Sequence, residues 1–149
     1  MGSLTPIPLQ DAESVWEQLI GWRDPSFPAQ QLALAKSELE RARKGDVIDA
    51  WQVLLKALAA TYMWPKGKVL EIGAGAGYIS EVIRLGGGKC DYTGCDMSPH
   101  FRNLAVATWP GIRYELTPAD ALLYDDAVFD VAILCAVLEH VRNWRQAIG

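Results

Sequence analysis

The chain has 149 residues, of which 50% are hydrophobic, and this composition favours one folded domain with a sizeable core over a disordered chain. Its formal charge of -4 and the lack of any Lys or Arg run argue against nucleic acid as a partner. No signal-peptide pattern opens the chain and no apolar run approaches membrane-spanning length, so we expect a soluble, cytoplasmic protein without a membrane partner.

The first part of the chain predicts helices. Residues 11–22, "DAESVWEQLIGW", have the spacing of a short amphipathic helix, and "AQQLALAKSELERARKG" predicts a charged helix that Gly45 ends. Asp46 is the expected cap of a third helix, whose apolar residues from Ile48 onward share one face. We therefore assign residues 1–64 to an N-terminal helical cap region.

From residue 65 onward, apolar strands alternate with helices. The strands are "KVLEIG", "KCDYTGCD", "GIRYELT" and "VFDVAILC", and the helices are "YISEVIRLGGG", "PHFRNLAVATW" with Ser98 as its N-cap, and "LEHVRNWRQAI". The nearly continuous apolar character of the fourth strand is typical of a parallel strand covered on both faces. This alternation predicts a doubly wound α/β sheet with a ligand site at the carboxyl ends of its strands.

Glycines follow the first of these strands in the stretch "KVLEIGAGAGYIS". Gly73, Gly75 and Gly77 would allow positive φ and let a ligand touch the main chain at the start of a helix. Two ligand classes use such a turn, namely dinucleotides through their pyrophosphate and S-adenosylmethionine through its methionine carboxylate. The glycines alone leave both classes open.

Two further residues favour the second ligand, and a third suits either. Tyr78 stands where the dinucleotide fingerprint has its last glycine or alanine, which counts against NAD or FAD without eliminating them. Asp96, at the end of the second strand, could accept hydrogen bonds from ribose hydroxyls of either ligand. Glu71 would attract the cationic amino end of a methionine moiety but would repel a pyrophosphate.

Several motifs in order resemble one family. "VLEIGAGAGYIS", "YTGCDMSPHFRNLA" and "PADALLYDDAVFDVAILCAVLEHV" together resemble the class I S-adenosylmethionine-dependent methyltransferases, and among them the group called methyltransferase type 11. The resemblance covers roughly residues 68 to 148. It implies a Rossmann-like S-adenosylmethionine-binding domain over residues 65–149, with strand order 3-2-1-4.

The resemblance also implies roles for individual residues. The loop would lie under the methionine and ribose, Asp96 would bind the ribose hydroxyls, and Met97 would lie against the adenine. Asp120 would accept from the adenine amino group and the Ala121 amide would donate to a ring nitrogen. The implied cofactor-binding residues are Glu71, Gly73, Ala74, Gly75, Gly77, Asp96, Met97, Asp120, Ala121 and Cys135.

The implied activity is methyl transfer to a small-molecule acceptor, without a metal. The fourth strand ends in "LCAVLEH", which lacks the Asn/Asp-Pro-Pro-aromatic element of enzymes that methylate nucleic-acid bases. No residue is assigned to catalysis, because His140 could serve as a general base or simply begin a helix. Cys90, Cys95 and Cys135 lack C-x-x-C spacing and are expected to be buried free thiols.

The carboxyl end suggests an incomplete domain. The family's sheet normally has seven strands, whereas only four are predicted here. We expect the remaining strands to be absent, leaving the edge of the fourth strand open to a second copy or a partner chain. An NAD(P)- or FAD-binding oxidoreductase fragment and a non-enzymatic cofactor-binding module that works with a partner chain are the alternative hypotheses.

Overall fold

The computed structural model describes residues 24–141 and 143–148; the helix predicted over residues 11–22 lies outside them. From residue 68 onward the strands and helices of the described chain alternate as predicted as far as the third strand, which the fourth strand follows without a helix between them. The elements are α1 (Phe27–Arg43), α2 (Asp49–Ala59), β1 (Lys68–Ile72), α3 (Ile79–Leu85), β2 (Asp91–Asp96), α4 (Pro99–Thr108), β3 (Arg113–Leu116), β4 (Val131–Ile133) and α5 (Trp144–Ile148).

The four strands form one parallel sheet in the order β3-β2-β1-β4, which confirms the predicted α/β fold and strand order. Because all strands run in the same direction, their carboxyl ends meet at one edge of the sheet. Glu71 of β1 pairs with Gly94 of β2, and Gly94 pairs with Tyr114 of β3. These three residues therefore form one row across the sheet.

Apolar side chains cover both faces of the central strands. On one face, Val69 of β1 packs with residues of α1, α2 and α3, including Leu39, Trp51 and Val82. Leu70 packs on the other face, against the segment between β3 and β4. The helices α1 and α2 thus share a core with the sheet, while the division of the chain at residue 64 stays a prediction.

The structure confirms one of the predicted helix caps and contradicts another. Ser98 caps α4 as predicted, since its hydroxyl accepts a hydrogen bond from the Phe101 amide at 3.4 Å. The predicted cap of α2 is wrong, because that helix begins after Ile48 without a side-chain cap. The Asp46 carboxylate instead accepts a hydrogen bond of 2.9 Å from Arg41, in the last turn of α1.

The carboxyl-terminal elements are shorter than predicted. β4 has three residues and Ala132 within it is exposed, so this strand is not covered on both faces in the described part of the chain. After β4 the chain forms a single 3-10 turn, Leu138–His140, and Val141 then adopts an extended conformation. The last helix therefore starts only at Trp144. No helix among the described residues is long and apolar enough to cross a membrane.

Candidate functional site

The glycine loop, residues 73–77, joins β1 to the short α3 at the carboxyl edge of the sheet. Gly73, Gly75 and Gly77 have φ values of 70°, 50° and 72°, in the left-handed region that only glycine adopts without strain. The alternating glycines therefore allow a tight turn, and any residue with a side chain at these positions would strain the backbone.

Two of these glycines are also needed for packing within the protein. A Cβ atom on Gly73 would lie 2.2 Å from Cγ2 of Val137, and one on Gly77 would lie 3.1 Å from Cβ of Ala105. At Gly75 the nearest atom is Oε1 of Gln31, at 3.3 Å. Gly75 is thus the least crowded of the three, and α1 supplies a polar side chain next to it.

Hydrogen bonds hold the loop on both sides. The Gly75 amide donates to Oδ2 of Asp96 at 3.1 Å, and the Tyr114 hydroxyl donates to the Gly75 carbonyl at 2.6 Å. The indole Nε1 of Trp109 donates to the Ala76 carbonyl at 2.8 Å. β2, β3 and the end of α4 therefore all fix the backbone conformation of the loop.

Asp96 is half-buried at the end of β2. Its Oδ1 accepts a hydrogen bond of 2.9 Å from the Ser98 amide, while Oδ2 accepts from Gly75. Burial raises the pKa of this carboxyl, and the bonds from the Ser98 and Gly75 amides act in the opposite direction. The Met97 amide acts in the same direction, and because a carboxylate has about four lone-pair sites, Asp96 keeps acceptor capacity for a further donor.

Glu71 is buried, with 3% of its surface exposed, and its Oε2 accepts a hydrogen bond from the Tyr92 hydroxyl. Its pKa is raised to about 8, chiefly by burial; the negative charge of Asp96 acts in the same direction and the Tyr92 hydrogen bond in the opposite one. Asp96 acts on Glu71 as a like charge, and the charge of Glu71 in turn raises the pKa values of neighbouring neutral groups, namely Tyr78, Tyr92, Cys95, Tyr114 and Cys135. Within the described residues, no cation pairs with this carboxyl.

Gly94 makes room for this arrangement. A Cβ atom at Gly94 would lie 3.0 Å from Cβ of Ala74, and 3.2 Å from both Cδ2 of Tyr114 and the hydroxyl oxygen of Tyr92. The loop and the two tyrosines therefore approach the sheet where β2 carries no side chain.

The other predicted residues lie around this centre. Met97 follows Asp96 and has 69% of its surface exposed. Asp120 accepts a hydrogen bond of 3.3 Å from Asn143, and the Ala121 amide donates to the Pro118 carbonyl at 3.2 Å. The structure thus brings Glu71, the loop and Asp96 into one cluster, whereas Asp120 and Ala121 make no described hydrogen bond to it.

The Cys135 side chain is exposed, so the prediction that all three thiols are buried is wrong. This residue follows β4, where the covering seen on the inner strands is missing, and the chain next turns through Ala136 with a φ of 51°. Nε2 of His140 lies 3.8 Å from the Glu139 carboxylate. No cluster of His, Cys, Asp and Glu in the described residues could hold a metal ion.

Sequence reasoning missed several residues that shape this site. Tyr92, Gly94, Tyr114 and Trp109 were assigned no role, although they position the glycine loop or Glu71. Strand alternation offers one signal, because Tyr92 and Gly94 are two positions apart and hence on the same face of β2. The register that places Tyr114 beside Gly94 has no comparable local signal.

Comparison with protein families identifies the chain. A family described as a methyltransferase domain matches residues 70–149, which is more than half of the chain and includes Glu71, the loop and Asp96. The chain belongs to this methyltransferase family. The resemblance to methyltransferase type 11 is therefore confirmed. A comparison with curated proteins finds no match for the methyltransferase chain.

Solved structures share the fold of this methyltransferase domain. YcgJ from Bacillus subtilis is 20% identical with a TM-score of 0.56, over 66% of this chain and 42% of that one. A Methanococcus maripaludis protein described as an S-adenosyl-L-methionine-dependent methyltransferase is 16% identical with a TM-score of 0.58, over 76% and 54%. The plantazolicin methyltransferase BpumL, solved with S-adenosylhomocysteine, is 18% identical with a TM-score of 0.54, over 92% and 55%. The chain spans about half the length of these three structures.

Proposed function

We propose that this protein binds S-adenosylmethionine at the carboxyl edge of its sheet and transfers the methyl group to a small-molecule acceptor. The observation that carries the proposal is the buried Glu71 carboxyl, which lies just before the glycine loop, near Asp96, and pairs with no cation among the described residues. A buried carboxylate is stabilised by a cation, and the ammonium group of the methionine moiety supplies one. The pyrophosphate of NAD or FAD would instead add negative charge beside Glu71 and Asp96.

The residues present suit the other parts of this cofactor. The loop from Gly73 through Ala74 and Gly75 to Gly77 would accommodate the methionine and ribose portions, because its least crowded position can be approached closely. Asp96 retains acceptor capacity for ribose hydroxyls while it bonds the loop.

At the adenine end, the contacts would involve Met97 and the loop that contains Asp120 and Ala121. The exposed side chain of Met97 could cover the ring, and main chain near Cys135 could approach the methionine amino group. Asp120 and Ala121 would contact the adenine only after exchanging their present hydrogen bonds with Asn143 and Pro118. The loop that contains them would therefore rearrange on binding.

The chain's contribution to the reaction is binding and alignment. When bound, S-adenosylmethionine supplies a methyl group on a positively charged sulfur. A nucleophilic atom of the acceptor would bond to the methyl carbon as its bond to sulfur breaks and the neutral thioether leaves. Glu71, Asp96 and the fixed loop would orient the cofactor, and such orientation contributes up to ~7–11 kcal/mol in favourable cases. A role for His140 as a general base stays a prediction.

A small-molecule acceptor is favoured by three observations. The net charge of -4 would not attract a nucleic acid, and the sequence after β4 lacks the element of base methyltransferases. BpumL, which has the same fold, is named for plantazolicin. A cytoplasmic location and pairing through the β4 edge also stay predictions.

Thermal unfolding with a panel of ligands tests the proposed cofactor. S-adenosylhomocysteine should raise the melting temperature in a concentration-dependent way, whereas NAD and FAD should not. A ligand at one hundred times its dissociation constant stabilises the folded state by about 2.7 kcal/mol. Stabilisation by NAD or FAD, without an effect of S-adenosylhomocysteine, would favour an oxidoreductase instead.

A further inference from the structure

Tyr92 is the residue that contacts the Glu71 carboxyl by a hydrogen bond. The two side chains come from neighbouring strands, and the Tyr92 hydroxyl donates to Oε2 of Glu71. Burial, followed by the negative charge of Glu71, raises the pKa of Tyr92 well above its ordinary value. The hydroxyl therefore keeps its proton at physiological pH and acts as a permanent donor.

The path of the Tyr92 side chain depends on the neighbouring glycine. Its hydroxyl oxygen lies 3.2 Å from the point that a Cβ on Gly94 would occupy, and Gly94 pairs directly with Glu71 across the sheet. The Tyr92 hydroxyl thus reaches Glu71 by passing over Gly94, which has no side chain to block it.

The second oxygen of the carboxyl, Oε1 of Glu71, accepts no hydrogen bond from the described residues. One oxygen of the carboxyl is thus held by Tyr92, and the other keeps its acceptor capacity for a ligand donor. Without Tyr92, the carboxyl could rotate about its terminal torsion, which is broad for glutamate. The hydroxyl therefore selects one orientation of the group.

We propose that Tyr92 is a positioning residue, which holds one oxygen of Glu71 so that the other is presented to the ammonium group of the cofactor. This inference rests on the proposed function, since it concerns the same cofactor. It implies that Tyr92 affects only those ligands that carry the amino-acid part. A merely structural tyrosine would affect every ligand of the site alike.

Calorimetric titration with two ligands tests this inference. S-adenosylhomocysteine carries the ammonium group, whereas 5'-methylthioadenosine keeps the adenosine but lacks the amino acid. Tyr92→Phe should weaken S-adenosylhomocysteine binding roughly tenfold, as expected for one hydrogen bond to a charged group, and leave 5'-methylthioadenosine binding within about twofold. Tyr124→Phe is the matched control, because Tyr124 packs against Phe129 on the other face of the sheet and should change neither affinity.

A double-mutant cycle shows whether Tyr92 acts through Glu71. In a Glu71→Gln background, the added Tyr92→Phe change should cost much less S-adenosylhomocysteine affinity than in the wild type. Equal losses for both ligands, no loss for either, or full additivity with Glu71→Gln would overturn the inference while leaving the proposed function intact. Failure of the wild-type protein to bind either ligand would overturn the proposed function, and this inference with it.

Discussion

The amide of Gly75 donates a hydrogen bond of 3.1 Å to Asp96, and the carbonyl of the same glycine accepts one of 2.6 Å from Tyr114. One residue of the loop is therefore held by two different strands, β2 through a carboxylate and β3 through a hydroxyl. The loop cannot shift without losing one of these bonds. Its conformation is consequently set before any ligand binds, which lowers the entropy cost of binding.

Removal of the Tyr114 hydroxyl should loosen the loop. Tyr114→Phe keeps the buried ring but leaves the Gly75 carbonyl without this donor, at an expected cost of about 1–2 kcal/mol in unfolding free energy. Amide hydrogen exchange should become faster in residues 73–77. Binding of S-adenosylhomocysteine and of 5'-methylthioadenosine should weaken together, in contrast to the selective effect expected of Tyr92→Phe. Unchanged exchange in the loop would show that the hydrogen bond does not restrain it.

A side chain at position 94 should disturb both the glycine loop and the Tyr92 hydroxyl. The added Cβ of Gly94→Ala would lie 3.0 Å from Cβ of Ala74 and 3.2 Å from the Tyr92 hydroxyl oxygen. Overpacking of this kind costs about 1–3 kcal/mol, and the displaced Ala74 would carry the change into the loop. Chemical denaturation and ligand titration measure the two effects. Adding Ala74→Gly should recover part of the lost affinity, and no recovery would indicate that the clash with Ala74 is not the cause.

The raised pKa of Glu71 makes stability depend on pH. Its folded value of about 8 exceeds the ordinary value of 4.5, so its contribution to stability is complete below pH 4.5 and is lost as the pH rises toward 8. Glu71→Gln avoids this ionisation and keeps an acceptor for Tyr92. The variant should therefore exceed the wild type by roughly 2–4 kcal/mol in unfolding free energy at pH 8, and by much less at pH 5. Urea denaturation at both pH values measures the difference, and equal differences would contradict the raised pKa.

Cofactor binding should release a proton from the same group. With a pKa of about 8, Glu71 is mostly protonated at pH 7, and a bound ammonium group would favour the carboxylate. The enthalpy of S-adenosylhomocysteine binding at pH 7 should therefore differ between phosphate and Tris buffers, whose ionisation enthalpies differ. Glu71→Gln should remove most of that difference. An enthalpy independent of buffer in the wild type would show that Glu71 does not lose a proton on binding.

Local features of this fold were predictable from the sequence. The strand at Lys68–Ile72, the glycine turn and the Ser98 cap depend on neighbouring residues, and all three are present. The cap assigned to Asp46 was wrong because α2 begins only after Ile48, and the Asp46 carboxylate bonds Arg41 of the preceding helix instead.

Relationships between strands were not predictable in this way. The bond from Tyr92 to Glu71 and the one from Tyr114 to the loop depend on the register of three strands. Val137 lies against Gly73 only because the chain returns over the loop after β4. The sequence accordingly located the glycine loop but did not show which side chains hold it.

The central claim is that S-adenosylmethionine binds between the glycine loop, Glu71 and Asp96. Its most direct test is a calorimetric titration of the protein and its Asp96→Ala variant with S-adenosylhomocysteine. The account predicts saturable one-to-one binding by the wild type and a loss of roughly 10–100-fold in affinity for the variant, because the ribose acceptor and the anchor of Gly75 disappear together. An absence of binding by the wild type, or an affinity that Asp96→Ala leaves unchanged, would contradict it.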